Sequence, residues 1–122
     1  MAIQGLAGHM LKSKIHQATV TDLELDYEGS IAIDQNVPDA ADILPGEMVH
    51  VLNLNNGARV ATYAISADRG SGIVTLNGPA ARTAYIGDRV TILSYCVNPD
   101  DAAKTLRPRV VKVDRSNLLI QD

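Results

Sequence analysis

Gly29-Ser30 is the residue pair in this chain with the most unusual chemistry open to it. A serine hydroxyl can attack the carbonyl of the residue before it, shifting the peptide bond to an ester. β-Elimination and hydrolysis would then leave the serine as a pyruvoyl group. Glycine at 29 leaves the attacked carbonyl uncrowded and tolerates a strained backbone. On local physics alone, Tyr27-Glu28-Gly29-Ser30 is equally a turn between two strands, because glycine and serine fill turns everywhere. The pair by itself does not separate the two readings.

Two further groups carry polar chemistry. In Arg59-Val60-Ala61-Thr62-Tyr63, strand alternation puts Arg59, Ala61 and Tyr63 on one face and Thr62 on the other. Twist or a bulge near a strand end would gather these neighbours into one pocket. Arg59 has the planar fork that clamps a carboxylate, and Tyr63 has a phenol that donates a proton. A solvated cross-strand pair is the plainer account. The second group, Asn77-Gly78-Pro79-Ala80-Ala81, has small residues between a strand and a short helix. Such a segment lets a ligand approach the backbone, and it is also an ordinary tight turn. Lys14 and His16 fall on one face of the first strand, where they read as solvated side chains.

The elements that must position these residues are mostly strands. Leu11 to Val20 alternates, with Leu11, Ser13, Ile15 and Gln17 on one face and Lys12, Lys14, His16 and Ala18 on the other. Met48 to Leu54 and Arg59 to Ala67 form a hairpin across Asn55-Asn56-Gly57, residues that accept positive φ. Ile73 to Leu76, Arg89 to Tyr95 and Val110 to Val113 complete the set. Short helices are expected at Pro38 to Ile43, Pro79 to Ala84 and Asn98 to Ala102. Many short strands broken by glycine turns predict an all-β barrel or sandwich. Arg115 to Asp122 reads as a surface tail or an edge strand.

Composition narrows the function. The 122 residues suffice for one domain with its own core. A single cysteine, Cys96, excludes an internal disulfide and a cysteine-built metal site. The net charge of −3 and the absence of Trp and Phe argue against a nucleic-acid surface. No apolar run reaches a membrane span and no signal-peptide pattern opens the chain, so the cytoplasm is expected. Met1 to His9 lacks a period and reads as a leader added for expression, with the natural start at Met10. A disordered extension is the alternative. The domain is then 10–122.

Taken in order, these pieces resemble the aspartate 1-decarboxylase family. The matching stretches are Met10-Leu11-Lys12-Ser13-Lys14-Ile15-His16, Tyr27-Glu28-Gly29-Ser30, Ala32-Ile33-Asp34 and Asn56-Gly57. They continue with Thr62-Tyr63-Ala64-Ile65, Arg69-Gly70-Ser71, Asn77-Gly78-Pro79-Ala80-Ala81 and Gly87-Asp88. No one motif is specific, but the ordered set is. The resemblance implies a small double-psi β-barrel with a few short helices, assembled as a homotetramer with sites between subunits. It implies self-cleavage between Gly29 and Ser30, with Ser30 becoming the covalent pyruvoyl cofactor that forms a Schiff base with L-aspartate. The products would be β-alanine and carbon dioxide, feeding pantothenate biosynthesis. Tyr63 would be the proton donor and Thr62 would serve both self-cleavage and the site. Lys14, Arg59, Thr62, Asn77, Gly78, Pro79 and Ala80 would contact substrate, with no metal. Some members of the family need an accessory maturation protein. Pro79 departs from the commoner alanine, and proline has no N–H to donate.

Two rivals stand beside this reading. One is a non-catalytic double-psi-barrel binding module, which has no reason to combine Gly29-Ser30, Thr62-Tyr63 and Asn77-Gly78. The other is a pyruvoyl-dependent decarboxylase acting on a different amino acid. Arg59 favours an acidic substrate over that alternative.

Overall fold

A computed structural model of the chain describes residues 5–121. Its strands are β1 (Ala7–Thr19), β2 (Asp22–Glu24), β3 (Ser30–Asp34), β4 (Met48–Asn53), β5 (Arg59–Ala67), β6 (Val74–Asn77), β7 (Arg89–Pro99) and β8 (Arg109–Lys112). Two short helices, α1 (Asn36–Ala41) and α2 (Asp100–Ala103), and a 3-10 turn (Gly78–Thr83) join them. The strands pair in the order β2-β6-β3-β5-β4-β7-β1-β8. β1 and β2 are thus six strand positions apart, yet only Val20-Thr21 separates them in sequence. Laid flat, six spacings would span about 29 Å, far beyond the reach of so short a link, roughly 10 Å. The sheet must therefore roll shut. Val20 N–H donates to Asp88 O and Thr21 N–H to Val74 O, both at 2.8 Å, across the closure.

This is the all-β double-psi barrel with few short helices. β1/β8, β2/β6 and β3/β5 run parallel and the remaining pairs antiparallel. The core is aliphatic: Ile15, Ile31, Ile33, Val49, Val51, Val74, Leu76, Val90 and Ile92 are buried. β-Branched side chains fill a pleated interior without aromatic rings. The Asn55-Asn56-Gly57 hairpin forms, with Gly57 at φ +76 and β4/β5 in unbroken register from Leu52–Arg59 to Met48–Tyr63.

Several boundaries differ from the sequence reading. β1 starts at Ala7, because Ala7, Gly8 and His9 pair with Pro99, Asn98 and Val97 of a longer β7. That end is held by backbone bonds with little burial, so it shows no apolar period; residues 1–4 of the expected leader lie outside the described residues. Asn98 accordingly belongs to β7 rather than capping α2. α1 begins at Asn36 and stops early, because Asp42 turns left-handed at φ +58. The strict alternation of β1 also fails. Register shifts fall between Leu11 and Ser13 and between Ile15 and Ala18, with Gln17 at φ +56. The first frees Lys12 to reach Glu47, and the second turns Ala18 into the core.

Arg115 to Gln121 is a surface tail, exposed except at Asn117. It folds back on β8, with Ile120 N–H bonded to Lys112 O and Val113 bridged to Leu119. Buried Asn117 donates to Thr19 O and Gly72 O and accepts from Thr19 N–H. It pins three segments at one barrel end.

Asp34 closes β3 in a similar way. Its buried carboxylate accepts N–H bonds from Asn36, Gly70 and Gly72, each at 3.0 Å. Burial pushes its pKa up, but the amides of Gly72, Gly70 and Asn36, with Arg69 nearby, outweigh that and hold it below the ordinary value. A depressed folded pKa gives stability that is present above the unfolded value and lost as pH falls through the folded one. Asp34→Asn is therefore expected to cost about 3 kcal/mol at neutral pH. The deficit should shrink as pH drops through the carboxylate range, as read by urea unfolding. A deficit independent of pH would mean that the charge is not the source.

Candidate active site

The scissile candidate lies where β3 begins. Ser30 faces Asn77 across the antiparallel β3/β6 pair. Asn77 Nδ2 donates to Ser30 Oγ at 2.9 Å, and Ser30 Oγ donates to Glu28 O at 3.1 Å. Ser30 has no exposed surface and Asn77 is 4% exposed. On the other side of β3, Ile31 faces Ala64 in parallel register. The residues just before them, Ser30 and Tyr63, are thus neighbours about one strand spacing apart, ~4.8 Å. Tyr63, Ser30 and Asn77 form one row across three strands. Thr62 lies on the opposite face of β5, paired with buried Val49.

Gly78 brings the next element onto this row. It has φ +63, and a Cβ there would lie 2.8 Å from both Gly29 N and Tyr27 O. Only glycine fits a left-handed position with backbone so close. Pro79 follows at the start of the 3-10 turn, where its missing N–H is tolerated. Its Cδ would lie 3.5 Å from a Cβ on Gly29. The far end of the turn is tied down as well: Thr83 O accepts from Asn53 Nδ2 and Asn56 Nδ2. An open hollow of about 450 Å³, lined by Leu25, Asp26, Gly78, Pro79 and Arg82, lies against the same segment.

This geometry suits an acyl shift at Gly29-Ser30. The hydroxyl is dry, its oxygen receives an amide donor, and the Gly29 backbone is pressed by Gly78. Comparison with known proteins identifies the family. Residues 6–120 match the family described as aspartate decarboxylase. The chain belongs to the aspartate decarboxylase family. An aspartate 1-decarboxylase of Thermoanaerobacter pseudethanolicus is 55% identical over 108 residues, 88% of this chain and 92% of that one. Those of Carboxydothermus hydrogenoformans and Caulobacter vibrioides are 52% and 53% identical, over 92% and 90% of this chain and 88% and 93% of theirs.

Within this family frame the structure brings together only part of the expected site. Ser30, Gly29, Asn77, Gly78, Pro79, buried Ala80 and Tyr63 cluster around the β3 start. Arg59 does not join them. It lies four residues before Tyr63 on β5, on the order of 13 Å along the strand from the Ser30 level. No bulge in β4/β5 shortens that path. Lys14 is equally remote: it pairs with Leu93, which pairs with His50, which pairs with Ala61. Lys14, His50 and Arg59 therefore share the outward face of one side of the barrel.

His50 was not singled out by sequence. Its ring Nδ1 lies 3.0 Å from Arg59 Nη1, and its ring meets Tyr95 edge-on at 5.2 Å between centroids. The hairpin turn, which fixes the β4/β5 register, was the available signal. Among the described residues, no cluster of three or more His, Cys, Asp or Glu could hold a metal, and no helix is long and apolar enough to cross a membrane.

The close approach at Gly78 can be separated from its φ. Gly78→Ala is expected to destabilise the fold by about 2–4 kcal/mol and to block chain cutting. Gly57→Ala shares the positive φ (+76) but has nothing within 4 Å of its Cβ position. That variant should lose about 1 kcal/mol and still be cut. Unfolding curves and gel bands report both, and equal behaviour would rule out a special role for the contact.

Proposed function

We propose that this chain cuts itself between Gly29 and Ser30 and then decarboxylates L-aspartate to β-alanine and carbon dioxide, in the cytoplasm, as a step toward pantothenate. The observation that carries this reading is the buried Ser30 hydroxyl, hydrogen-bonded by Asn77 in one row with Tyr63. Ser30 Oγ attacks the Gly29 carbonyl carbon. The Asn77 amide, donating to Oγ, orients the hydroxyl for that attack, and the negative charge develops on the Gly29 carbonyl oxygen. The family resemblance gives Thr62 a part in the cut, although its side chain stands on the face of β5 opposite the Ser30 row. The Gly29–Ser30 C–N bond breaks as the ester forms, and β-elimination expels Gly29 as its carboxylate and leaves dehydroalanine at position 30. Water then hydrolyses the imine tautomer, releasing ammonia and leaving the pyruvoyl group.

The pocket fits that group: it has the dry serine position and a wall, Gly78, that leaves no room for a side chain. When present, the pyruvoyl group supplies an electron sink for the bond to the departing carboxylate. In the uncut chain Ser30 is sealed from solvent, so cutting must come before substrate entry; residues ending at Gly29 then move aside. Tyr63 delivers the proton to the carbon that loses carbon dioxide. Gly78 and Ala80 offer backbone groups to substrate, while Pro79 offers only its carbonyl and its ring. Arg59 clamps a substrate carboxylate and Lys14 adds positive charge. Both lie far from the Ser30 of their own chain, so a second copy supplies them, in keeping with the homotetramer that the family resemblance implies.

Intact mass tests the first step. Mature protein should consist of residues 1–29 and residues 30–122, and the larger piece should resist stepwise N-terminal sequencing. Aspartate with borohydride should add mass to that piece at position 30. Ser30→Ala should fold, stay whole and be inactive. A Ser30→Ala chain still cut after Gly29 would overturn the proposal.

Tyr63→Phe keeps the ring and loses only the phenol. It should be cut normally yet turn over at least about 100-fold more slowly, with KM little changed. Near-normal turnover would remove Tyr63 from the proton step.

A further inference from the structure

Arg59 is exposed at the end of β5, and a free guanidinium there would sample many rotamers. It is not free. Arg59 Nη1 lies 3.0 Å from His50 Nδ1. Arginine can only donate, so Nδ1 must be the unprotonated, accepting nitrogen and the ring proton must sit on Nε2. Tyr95 packs edge-on against the same ring with an interplanar angle of 67°, which fixes its plane. His50 itself stands on a strand held on both sides, by β5 and by β7.

We propose that His50 is a positioning residue for substrate binding: it holds the Arg59 fork by one N–H so that the remaining N–H groups face the substrate carboxylate. The proposal rests on the reading of Arg59 as the carboxylate clamp. The chemistry of the surroundings fits it. The outward-facing residues flanking His50 are Arg59, Ala61 and Tyr63 on β5 and Thr91, Leu93 and Tyr95 on β7, with Lys14 beyond Leu93 on β1. None is a carboxylate. A carboxylate partner would neutralise Arg59 and compete with the substrate for its fork, whereas a neutral imidazole orients the fork and leaves its charge uncompensated. His50 is not placed to touch the reacting carbon, so its effect should fall on binding and not on the chemical step.

The test uses the mature, self-cut enzyme with aspartate. His50→Asn places an amide oxygen near the position of Nδ1 and keeps the acceptor. His50→Leu keeps apolar bulk against Tyr95 and removes it. His50→Leu should raise KM about tenfold with kcat within about twofold, while His50→Asn should stay within about threefold of the parent KM. Nitrogen NMR of isotope-labelled histidine should show the Nε2–H tautomer for His50 in the free enzyme, a readout that needs no turnover. An unchanged KM in His50→Leu, a matching loss in His50→Asn, or the Nδ1–H tautomer would each overturn the proposal. Arg59→Ala separates this from failure of the premise. If aspartate is still decarboxylated with unchanged KM when Arg59 is gone, the clamp reading is wrong and His50 falls with it. If Arg59→Ala raises KM but His50→Leu does not, the clamp stands and only the role of His50 is lost.

Discussion

The contact on which the site depends is between backbones. Gly78 lies against the Tyr27–Gly29 segment so closely that a single added carbon would sit 2.8 Å from two backbone atoms. That approach sets the position of the Gly29–Ser30 bond relative to Asn77, and through β3 relative to Tyr63. Side chains can shift by rotating, but two packed backbones cannot yield without moving the strands that carry them. The strands here are β3 and β6, which are already paired to each other. Asn77 and Gly78 thus act as one unit: the amide orients the hydroxyl, and the glycine holds the chain that bears it.

Barrel closure supplies the rigidity behind that contact. Rolling the sheet so that β1 leads into β2 leaves the short β2 against β6, and β6 is then flanked on both sides. The loops at the barrel ends are tied by polar side chains instead of by apolar packing. Asp34 gathers three amides, Asn117 bridges Thr19 and Gly72, and Asn53 with Asn56 fixes the end of the 3-10 turn. A small aliphatic core has little to spare for loops, so hydrogen bonds to backbone groups hold them.

The polar groups divide into two sets on this barrel. One set, Ser30 with Asn77, is enclosed. The other, with Arg59, His50 and Lys14, lies on an outward sheet face and is suited to meeting an anion. The separation follows from strand rise: four residues of extended chain cannot be folded back without a bulge, and β5 has none against β4. Within one chain, then, the cations stand apart from the buried Ser30.

Much of this was legible in the sequence. Glycine turns and short apolar strands specify an all-β barrel or sandwich, the Asn55-Asn56-Gly57 turn specifies its hairpin, and the ordered set of stretches from Met10 to Asp88 identifies the family. These signals are local, written in residue types and short spacings. Tertiary structure alone decided which of those residues meet. Ser30, Tyr63 and Asn77 are aligned by pairings between distant strands, one of them parallel. Arg59 was kept apart from them by an unbroken ladder. The shifts in β1 that redirect Lys12 and Ala18 and the fold-back of the tail around Asn117 were likewise out of reach. Each depends on register between strands, and register is set by the closed barrel as a whole, because a slip of one residue turns every side chain to the other face.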